Sequence, residues 1–140
     1  MVRQRAEPIL ALLRARGGRV TTGRRAILET FLGIGGHVTA EALTAKVQVN
    51  QPDVHASTVY RFLDELERLG VVDHVHLGHG PAVYHLASDA HHHLVCDRCG
   101  AVVEVPEEVF AALRTRLQDE FSFSLQPRHF AVTGRCNACA

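Results

Sequence analysis

Two Cys-x-x-Cys pairs constrain this chain more than any other feature of its sequence. Cys96 and Cys99 form one pair, and Cys136 and Cys139 form the other near the end of the 140 residues. Each pair turns two thiols toward one point, and two pairs complete the four-sulfur tetrahedron that structural zinc prefers. Disulfides or a redox role are the alternatives, but no secretory segment is present to supply an oxidising compartment. We therefore expect structural zinc on these four cysteines, which we call the cysteine site.

Charge is balanced over the whole chain but unevenly distributed along it. Residues 1–70 carry 10 Lys and Arg against 7 Asp and Glu, whereas residues 71–140 carry 5 against 8. A basic first half suits a module that contacts DNA, although a solvated basic helix gives the same pattern. The sequence has no apolar run long enough to cross a bilayer and no signal peptide, so we expect a cytoplasmic protein without a membrane partner.

The first half of the chain predicts helices followed by a hairpin. Apolar spacing and capping residues predict four helices, at residues 7–16, 21–32, 40–47 and 55–69. Two strands are predicted to follow, at residues 71–77 and 82–86. Thr21 or Thr22 is expected to cap the second helix and Thr39 the third. Helices followed by a two-stranded hairpin are the plan of a winged helix-turn-helix domain.

In that plan the last helix enters the major groove of DNA by its N-terminal end. Ser57, Thr58, Tyr60 and Arg61 lie there, and their polar groups suit base edges and phosphates; Arg24, near the start of the second helix, is a further candidate. Alternatively, Tyr60 packs against its neighbours and Arg61 is only solvated. We predict that these five residues bind DNA.

The second half of the chain predicts a small α/β module. Strands are expected at residues 92–95, 102–105 and 128–133, with a helix from Pro106 to about residue 120. That helix is expected to bury Val109, Phe110, Leu113 and Leu117. A module of roughly 50 residues has little core of its own, so zinc and dimerisation would have to support it.

These expectations give an α+β fold with a boundary in the middle of the chain. We predict a winged-helix DNA-binding domain at residues 1–86, a hinge at residues 87–90 and a zinc-stabilised α/β dimerisation domain at residues 91–140.

Several stretches together carry a family resemblance. They are Thr21-Thr22-Gly23-Arg24-Arg25, His37-Val38-Thr39-Ala40-Glu41-Ala42-Leu43, Ser57-Thr58-Val59-Tyr60-Arg61, His91-His92-His93-Leu94-Val95-Cys96 and Gly134-Arg135-Cys136. Through them the chain resembles the ferric uptake regulator family, the bacterial metal-sensing repressors. The resemblance implies a homodimer that binds palindromic double-stranded operator DNA, structural zinc on the four cysteines and a corepressor metal at the hinge.

The resemblance also implies which histidines hold the corepressor metal. Strand alternation puts His91 and His93 on one side and His92 on the other. His37 is the family position that joins them, and His85 stands where many iron sensors carry a carboxylate. We call His37, His85, His91 and His93 the hinge histidines. For His85, a surface position on the wing is the alternative, and Asp89 is a possible oxygen ligand.

A second group of histidines resembles the nickel-sensing branch of the family, the nickel uptake regulators. His74 and His76 lie two apart on one strand, and with His129 they match the nickel ligands of that branch. We call these three the nickel-candidate histidines. Alternatively, His74 and His76 are simply two histidines on a solvent-exposed face of the strand. Imidazole also binds zinc and copper, so ligand type alone does not choose the ion.

Departures from the family pattern narrow the choice of sensed signal. An additional site of iron and zinc sensors uses the positions of Ala90, His92 and Arg128, and two of these residues cannot bind metal. Peroxide-sensing members place carboxylates at the positions of Glu104 and His85, and only Glu104 keeps one. We predict a metal-dependent repressor of metal homeostasis or uptake genes, with nickel favoured over zinc, iron(II) or peroxide. A metalloenzyme is disfavoured because no nucleophile is paired with a base.

Overall fold

The computed structural model describes residues 1–88, 91–125 and 131–140 of the chain. These residues divide into two units. The first unit comprises Met1–Asp73 and Val83–Ala87, and the second comprises His74–Ala82 and Ser88–Ala140. Asp89 and Ala90, half of the expected hinge, lie outside the described residues, so the predicted domain boundary stays a prediction.

Four helices build most of the first unit. They are α1 (Val2–Ala15), α2 (Thr22–Ile34), α3 (Ala40–Gln48) and α4 (Ala56–Arg68). The hydroxyl of Thr21 accepts a hydrogen bond from the backbone N–H of Arg24, and that of Thr39 accepts one from Ala42, both at 3.1 Å. Each N-cap satisfies an amide that the first turn leaves without a helical partner, which fixes where α2 and α3 begin. The predicted positions of α2, α3 and α4 are confirmed to within one or two residues.

Helix α1 is longer than its sequence pattern predicts. Its apolar spacing predicts a start at residue 7. The helix instead begins at Val2, and Pro8 lies within it. Ala6, Leu10 and Leu13 are all buried at 1% exposure or less. The extra turn therefore adds Ala6 to the apolar face that α1 packs into the core.

The core of the first unit is organised around α4. Val59, Phe62, Leu63 and Leu66 follow helical spacing and are completely buried. Burial on this scale holds one face of α4 against the other helices and leaves the opposite face, including Ser57 and Arg61, exposed.

A three-stranded sheet accompanies these helices, in the order β1-β3-β2. Its strands are β1 (Val38–Thr39), β2 (Val72–His76) and β3 (Ala82–Leu86). The last two agree with the predicted hairpin. The sequence did not predict β1, because two residues carry no detectable periodicity; Val38 pairs with Tyr84 and so belongs to the sheet through a distant segment.

The second unit contains another three-stranded sheet and a helix. Its elements are β4 (His91–Cys96), β5 (Val102–Pro106), a 3₁₀ turn (Glu107–Phe110), α5 (Ala111–Phe121) and β6 (Ala131–Gly134). The sheet order is β5-β4-β6, with β4 antiparallel to β5 and parallel to β6. The first residues of the predicted last strand, 128–130, lie outside the described residues.

The predicted core of the second unit is largely wrong. Phe110 is buried, but Val109 and Leu113 are 58% and 47% exposed, and Leu117 is only partly covered. Within the described part of the chain, no residue of α5 is buried. The apolar pattern correctly predicts a helix, but one small sheet covers little of that helix.

Among the described residues, no helix has both the length and the apolar character that a membrane span requires.

Candidate metal centres and nucleic-acid interface

The cysteine site joins the end of β4 to the segment after β6. Cys96 ends β4, Cys99 follows it in a turn, and Cys136 and Cys139 follow β6, which pairs in parallel with β4. The four sulfurs lie within 4.8 Å of one another. All four are free thiols, and the Cys99–Cys136 sulfur separation is 3.7 Å, far beyond the ~2.05 Å of a disulfide bond.

The sulfur spacing fits a zinc ion. Four sulfurs bound tetrahedrally at about 2.3 Å from zinc lie roughly 3.8 Å apart. Backbone N–H groups of Cys136, Cys99 and Arg98 donate to the sulfur of Cys96 and lower the pKa of its thiol to about 6. A hydrogen bond with the Cys136 sulfur raises the pKa of the Cys139 thiol to about 12. A closed set of four thiols with amide donors around one of them suits a cation that accepts thiolates.

A second candidate centre lies on the β4–β5 ladder. His91 and His93 project from the same face of β4, with ring centroids 4.7 Å apart and Nε2 atoms 3.1 Å apart. Glu104 on β5 pairs directly with His93, and its carboxylate lies 3.9 Å from His91 Nε2. Two imidazole nitrogens and a carboxylate oxygen thus converge within 4.8 Å. Nitrogens bound to one ion at about 2.1 Å lie roughly 3.0 Å apart in octahedral and 3.4 Å apart in tetrahedral geometry, so the separation admits either.

The other two hinge histidines meet in the first unit. His37 precedes β1 and His85 lies on β3, and their ring centroids are 5.2 Å apart. His85 is only 9% exposed, so it is not the wing-surface residue of the alternative interpretation. Its Nδ1 lies 3.0 Å from the carbonyl oxygen of Leu86. If Nδ1 carries the proton and donates it there, the ring lone pair is on Nε2, as in metal-binding histidines oriented by a carbonyl.

The nickel-candidate histidines are only partly described. His74 and His76 lie on β2 with ring centroids 5.7 Å apart in an edge-to-face arrangement. His76 is exposed and His74 partly covered. His129 lies outside the described residues, as do Asp89, Ala90 and Arg128.

His92 differs from its two neighbours in environment. It faces the opposite side of β4, is 2% exposed and packs edge-on against Phe110 with ring centroids 4.6 Å apart. Burial lowers the pKa of His92, and the nearby Arg114 guanidinium lowers it further. A neutral ring in an aromatic contact fits a role in the core of the second unit.

The predicted DNA-binding residues of α4 form an exposed surface. Ser57, Thr58 and Arg61 are exposed in the first two turns. Tyr60 is 40% exposed, and its hydroxyl donates a hydrogen bond to the carboxylate of Glu41 in the first turn of α3. Tyr60 is thus partly exposed and also contacts a neighbouring helix, so its predicted contact with DNA stays a prediction.

Arg24, by contrast, is engaged inside the first unit. Its guanidinium forms a 2.8 Å ion pair with Glu65, donates to the carbonyl of Arg19 at 3.0 Å and lies 5.2 Å from the centroid of Phe62. Three-quarters of the side chain is covered. These contacts join the start of α2 to the middle of α4.

Glu104 and Glu41 are two carboxylates whose roles the sequence does not define. Glu104 lies opposite His93 on the next strand, and Glu41 lies beside Tyr60 on the preceding helix. Pairing β4 with β5 through the short Cys96–Cys99 turn would have placed Glu104 opposite His93, since antiparallel register is fixed by the turn. No local signal points to Glu41.

Comparison with known proteins places the chain in one family. The ferric uptake regulator family model matches residues 15–132. The ferric uptake regulation protein of Bacillus subtilis is 31% identical over 140 residues, which cover 96% of this chain and 94% of that protein.

Solved structures agree with the fold. The Helicobacter pylori ferric uptake regulator, described with three functional metal-binding sites, superposes with a TM-score of 0.78 at 18% identity over 99% of this chain and 93% of that one. The Pseudomonas aeruginosa regulator with manganese gives 0.70 at 30% identity over 89% and 95%. The α+β fold is thereby confirmed. The chain belongs to the ferric uptake regulator family, whose members are metal-responsive regulators of transcription and not enzymes.

Proposed function

We propose that this protein is a metal-dependent transcriptional repressor that binds palindromic operator DNA as a homodimer. The observation that carries the proposal is the presence, in one unit, of two donor sets with different chemistry. Four thiolates form a closed shell that suits a permanently held ion, whereas imidazole and carboxylate suit an ion that exchanges. One set stabilises the fold and the other senses.

The cysteine site holds structural zinc in this proposal. The ion ties the end of β4 to the segment after β6, beside the Asp97–Arg135 ion pair that joins the same two segments. Because thiolate ligands come together only in the folded chain, zinc binding contributes to folding free energy. The 3.7 Å sulfur separation and the amide donors around Cys96 support this role.

The hinge histidines hold the regulatory metal. His91 and His93 supply nitrogens, Glu104 is positioned to supply an oxygen, and we propose that His37 and His85 complete the set. An ion bound by ligands of both units favours the arrangement of the dimer that binds DNA. Coupling of this kind typically changes affinity by about 5- to 150-fold.

The exposed face of α4 reads the operator. Ser57, Thr58, Tyr60 and Arg61 are all exposed in the first two turns of α4, and Ser57 and Arg61 lie opposite its buried stripe. The first 30 residues carry seven arginines against two glutamates, which favours approach to phosphates. Arg24 stays a proposed DNA ligand, and its contacts with Glu65 and Phe62 also support α4 from behind.

A second copy of the chain covers the apolar surface of the second unit. Large apolar side chains stand exposed on β5, α5, β6 and the segment after α5: Val102, Val103, Val109, Leu113, Phe121, Phe123 and Val132. An apolar cavity of about 210 Å³ opens beside them between Val103 and Val132. Patches of this kind mark interaction surfaces, and the family resemblance favours an identical chain as the partner.

Nickel remains our proposed physiological metal. The support is the edge-to-face pair of His74 and His76 on β2, together with the resemblance to the nickel-sensing branch. The relatives compared above are named for iron, or were solved with manganese, and do not favour nickel. Zinc and iron(II) at the hinge histidines, or peroxide sensing, are the competing assignments.

One experiment tests both the function and the metal. Operator affinity is measured by fluorescence anisotropy with nickel, zinc, iron(II) or manganese, each in a metal buffer, and nickel stoichiometry is measured by dialysis on the same samples. The parent protein is compared with two matched double variants, H91A/H93A and H74A/H76A. We expect metal to raise operator affinity by at least about tenfold in the parent.

The two variants separate the assignments. H91A/H93A should lose stimulation by every metal, because it lacks the exchangeable site. H74A/H76A should lose stimulation by nickel while keeping its cysteine-bound zinc. If H74A/H76A binds nickel and operator like the parent, the nickel assignment is wrong and a zinc or iron(II) sensor takes its place. If no metal stimulates the parent, the proposed function itself is wrong.

A further inference from the structure

The exposed tyrosine of α4 is tied to a carboxylate of the preceding helix. Tyr60 lies in the second turn of α4, and Glu41 lies in the first turn of α3 beside its N-cap, Thr39. Both side chains belong to the first unit. The Tyr60 hydroxyl donates its hydrogen bond to Glu41 Oε1.

The proton in this contact belongs to Tyr60. An ionised carboxylate can only accept hydrogen bonds, whereas a phenol has a single proton to donate. The bond from Tyr60 lowers the pKa of Glu41 and raises the pKa of Tyr60. At neutral pH, Glu41 is therefore ionised, Tyr60 is protonated, and the one donor of Tyr60 is committed to Glu41.

The hydrogen-bonding groups of the major groove determine which bases Tyr60 can contact. Phosphates, guanine N7 and O6, adenine N7 and thymine O4 are all acceptors, and each needs a donor from the protein. The groove offers donors only at the exocyclic amino groups of adenine and cytosine. A tyrosine oxygen whose proton points elsewhere can accept from those amino groups but cannot donate to the other positions.

We propose that Glu41 is a positioning residue that makes the Tyr60 oxygen an acceptor, so that Tyr60 selects an adenine or cytosine amino group within each operator half-site. This inference rests on the proposed DNA-binding function and specifies how one residue of α4 contributes to it. Glu41 also places a negative charge near the DNA-facing surface. That charge disfavours a phosphate contact at this point and leaves the contact to the base.

The test is selection of binding sites from a randomised double-stranded DNA pool in the presence of metal. The parent chain is compared with Tyr60→Phe, which removes the oxygen, and with Glu41→Ala, which frees the hydroxyl to donate. Glu41→Gln removes the charge but keeps an acceptor oxygen for Tyr60. Asp53→Ala is the matched control, since it removes an exposed carboxylate of the same unit that does not contact Tyr60. Thermal unfolding of each variant monitors the fold.

We expect the parent and Asp53→Ala to prefer adenine or cytosine about fivefold at one position of the half-site, the ratio that a single neutral hydrogen bond provides. Tyr60→Phe should lose this preference. Glu41→Ala should extend it to guanine or thymine, because the freed hydroxyl can donate to their acceptors. Glu41→Gln should keep it. A merely structural role for Glu41 would change affinity or stability without changing base preference.

Several results would contradict the proposal. A parent motif that Tyr60→Phe and Glu41→Ala reproduce unchanged would overturn this inference alone, as would a Glu41→Gln variant that loses the preference. A parent protein that enriches no sequence would overturn the proposed function and this inference with it.

Discussion

At the scale of the residue, donor type and spacing decide what each metal centre can do. Thiolates hold zinc in a closed tetrahedron, and four of them lie within 4.8 Å in the cysteine site. His91, His93 and Glu104 instead offer nitrogen and oxygen from one face of a sheet. Such a partial set leaves coordination positions for further ligands, which suits an ion that is bound and released.

Replacing a single thiol tests the structural role of the cysteine site. We expect Cys136→Ser to hold zinc at least about tenfold more weakly than the parent, since one of four ligands to a folding-coupled ion is lost. Zinc per chain after dialysis against a chelator measures the loss, and thermal unfolding measures its effect on stability.

Asp97→Asn provides the control for this experiment. Asp97 follows Cys96 in the chain, and its carboxylate lies 3.4 Å from Arg135. Its replacement therefore alters a neighbour of the site without removing a sulfur. The control should keep its zinc. A Cys136→Ser protein that retains one tightly bound zinc would show that the four thiols do not form one site.

At the scale of the element, α4 divides its faces between stability and recognition. Its buried stripe, Val59, Phe62, Leu63 and Leu66, is fully covered. Its exposed face presents Arg61 beside Ser57 and Tyr60. Arg24 and Glu41 contact α4 from α2 and α3, so neighbouring helices also fix the side chains around the recognition surface.

Removing the Arg61 guanidinium should therefore affect DNA binding and leave stability unchanged. We expect Arg61→Ala to weaken operator binding by about 5- to 150-fold, the range for a lost base contact, while metal content and thermal unfolding stay as in the parent. Anisotropy titrations at several salt concentrations measure the loss and its salt dependence.

Arg116→Ala is the matched control for Arg61→Ala. Arg116 is exposed on α5 and forms a 2.9 Å ion pair with Glu120 in the second unit. An equal loss of operator affinity in both variants would indicate a general charge effect, and unchanged affinity in Arg61→Ala would remove that residue from the interface.

At the scale of the whole molecule, the second unit leaves several large apolar side chains exposed. No described residue of helix α5 is buried, although Leu113 and Leu117 follow helical spacing; Val109, in the preceding 3₁₀ turn, is also exposed. The second copy of the chain that we propose to bind here would account for both the pattern and the exposure.

A charge on this surface should separate the dimer. We expect Leu113→Glu to weaken self-association by at least about tenfold, because a carboxylate would be buried against an apolar partner. Sedimentation equilibrium measures the association constant. Gln118→Glu, which adds the same charge at another exposed position of α5, should leave it unchanged. A Leu113→Glu protein that remains fully dimeric would show that the chains associate elsewhere.

Features that depend only on neighbouring residues along the chain could be predicted from the sequence. Thr21 and Thr39 cap helices because a side-chain oxygen reaches an amide three residues away. The buried stripe of α4 follows from helical spacing, and the sharing of one face by His91 and His93 follows from strand alternation. Each Cys-x-x-Cys pair likewise indicates its chemistry from local spacing.

Which of these local features meet depends on the tertiary structure. Cys96 and Cys136 come together because β4 and β6 run in parallel, and Glu104 joins His93 through antiparallel pairing with β5. Tyr60 meets Glu41 because α3 and α4 pack together, while Arg24, which the sequence presents as a basic surface residue, is engaged by Glu65 and Phe62. These pairings depend on contacts between distant segments, and their energies are set by the packing of the whole unit rather than by spacing along the chain.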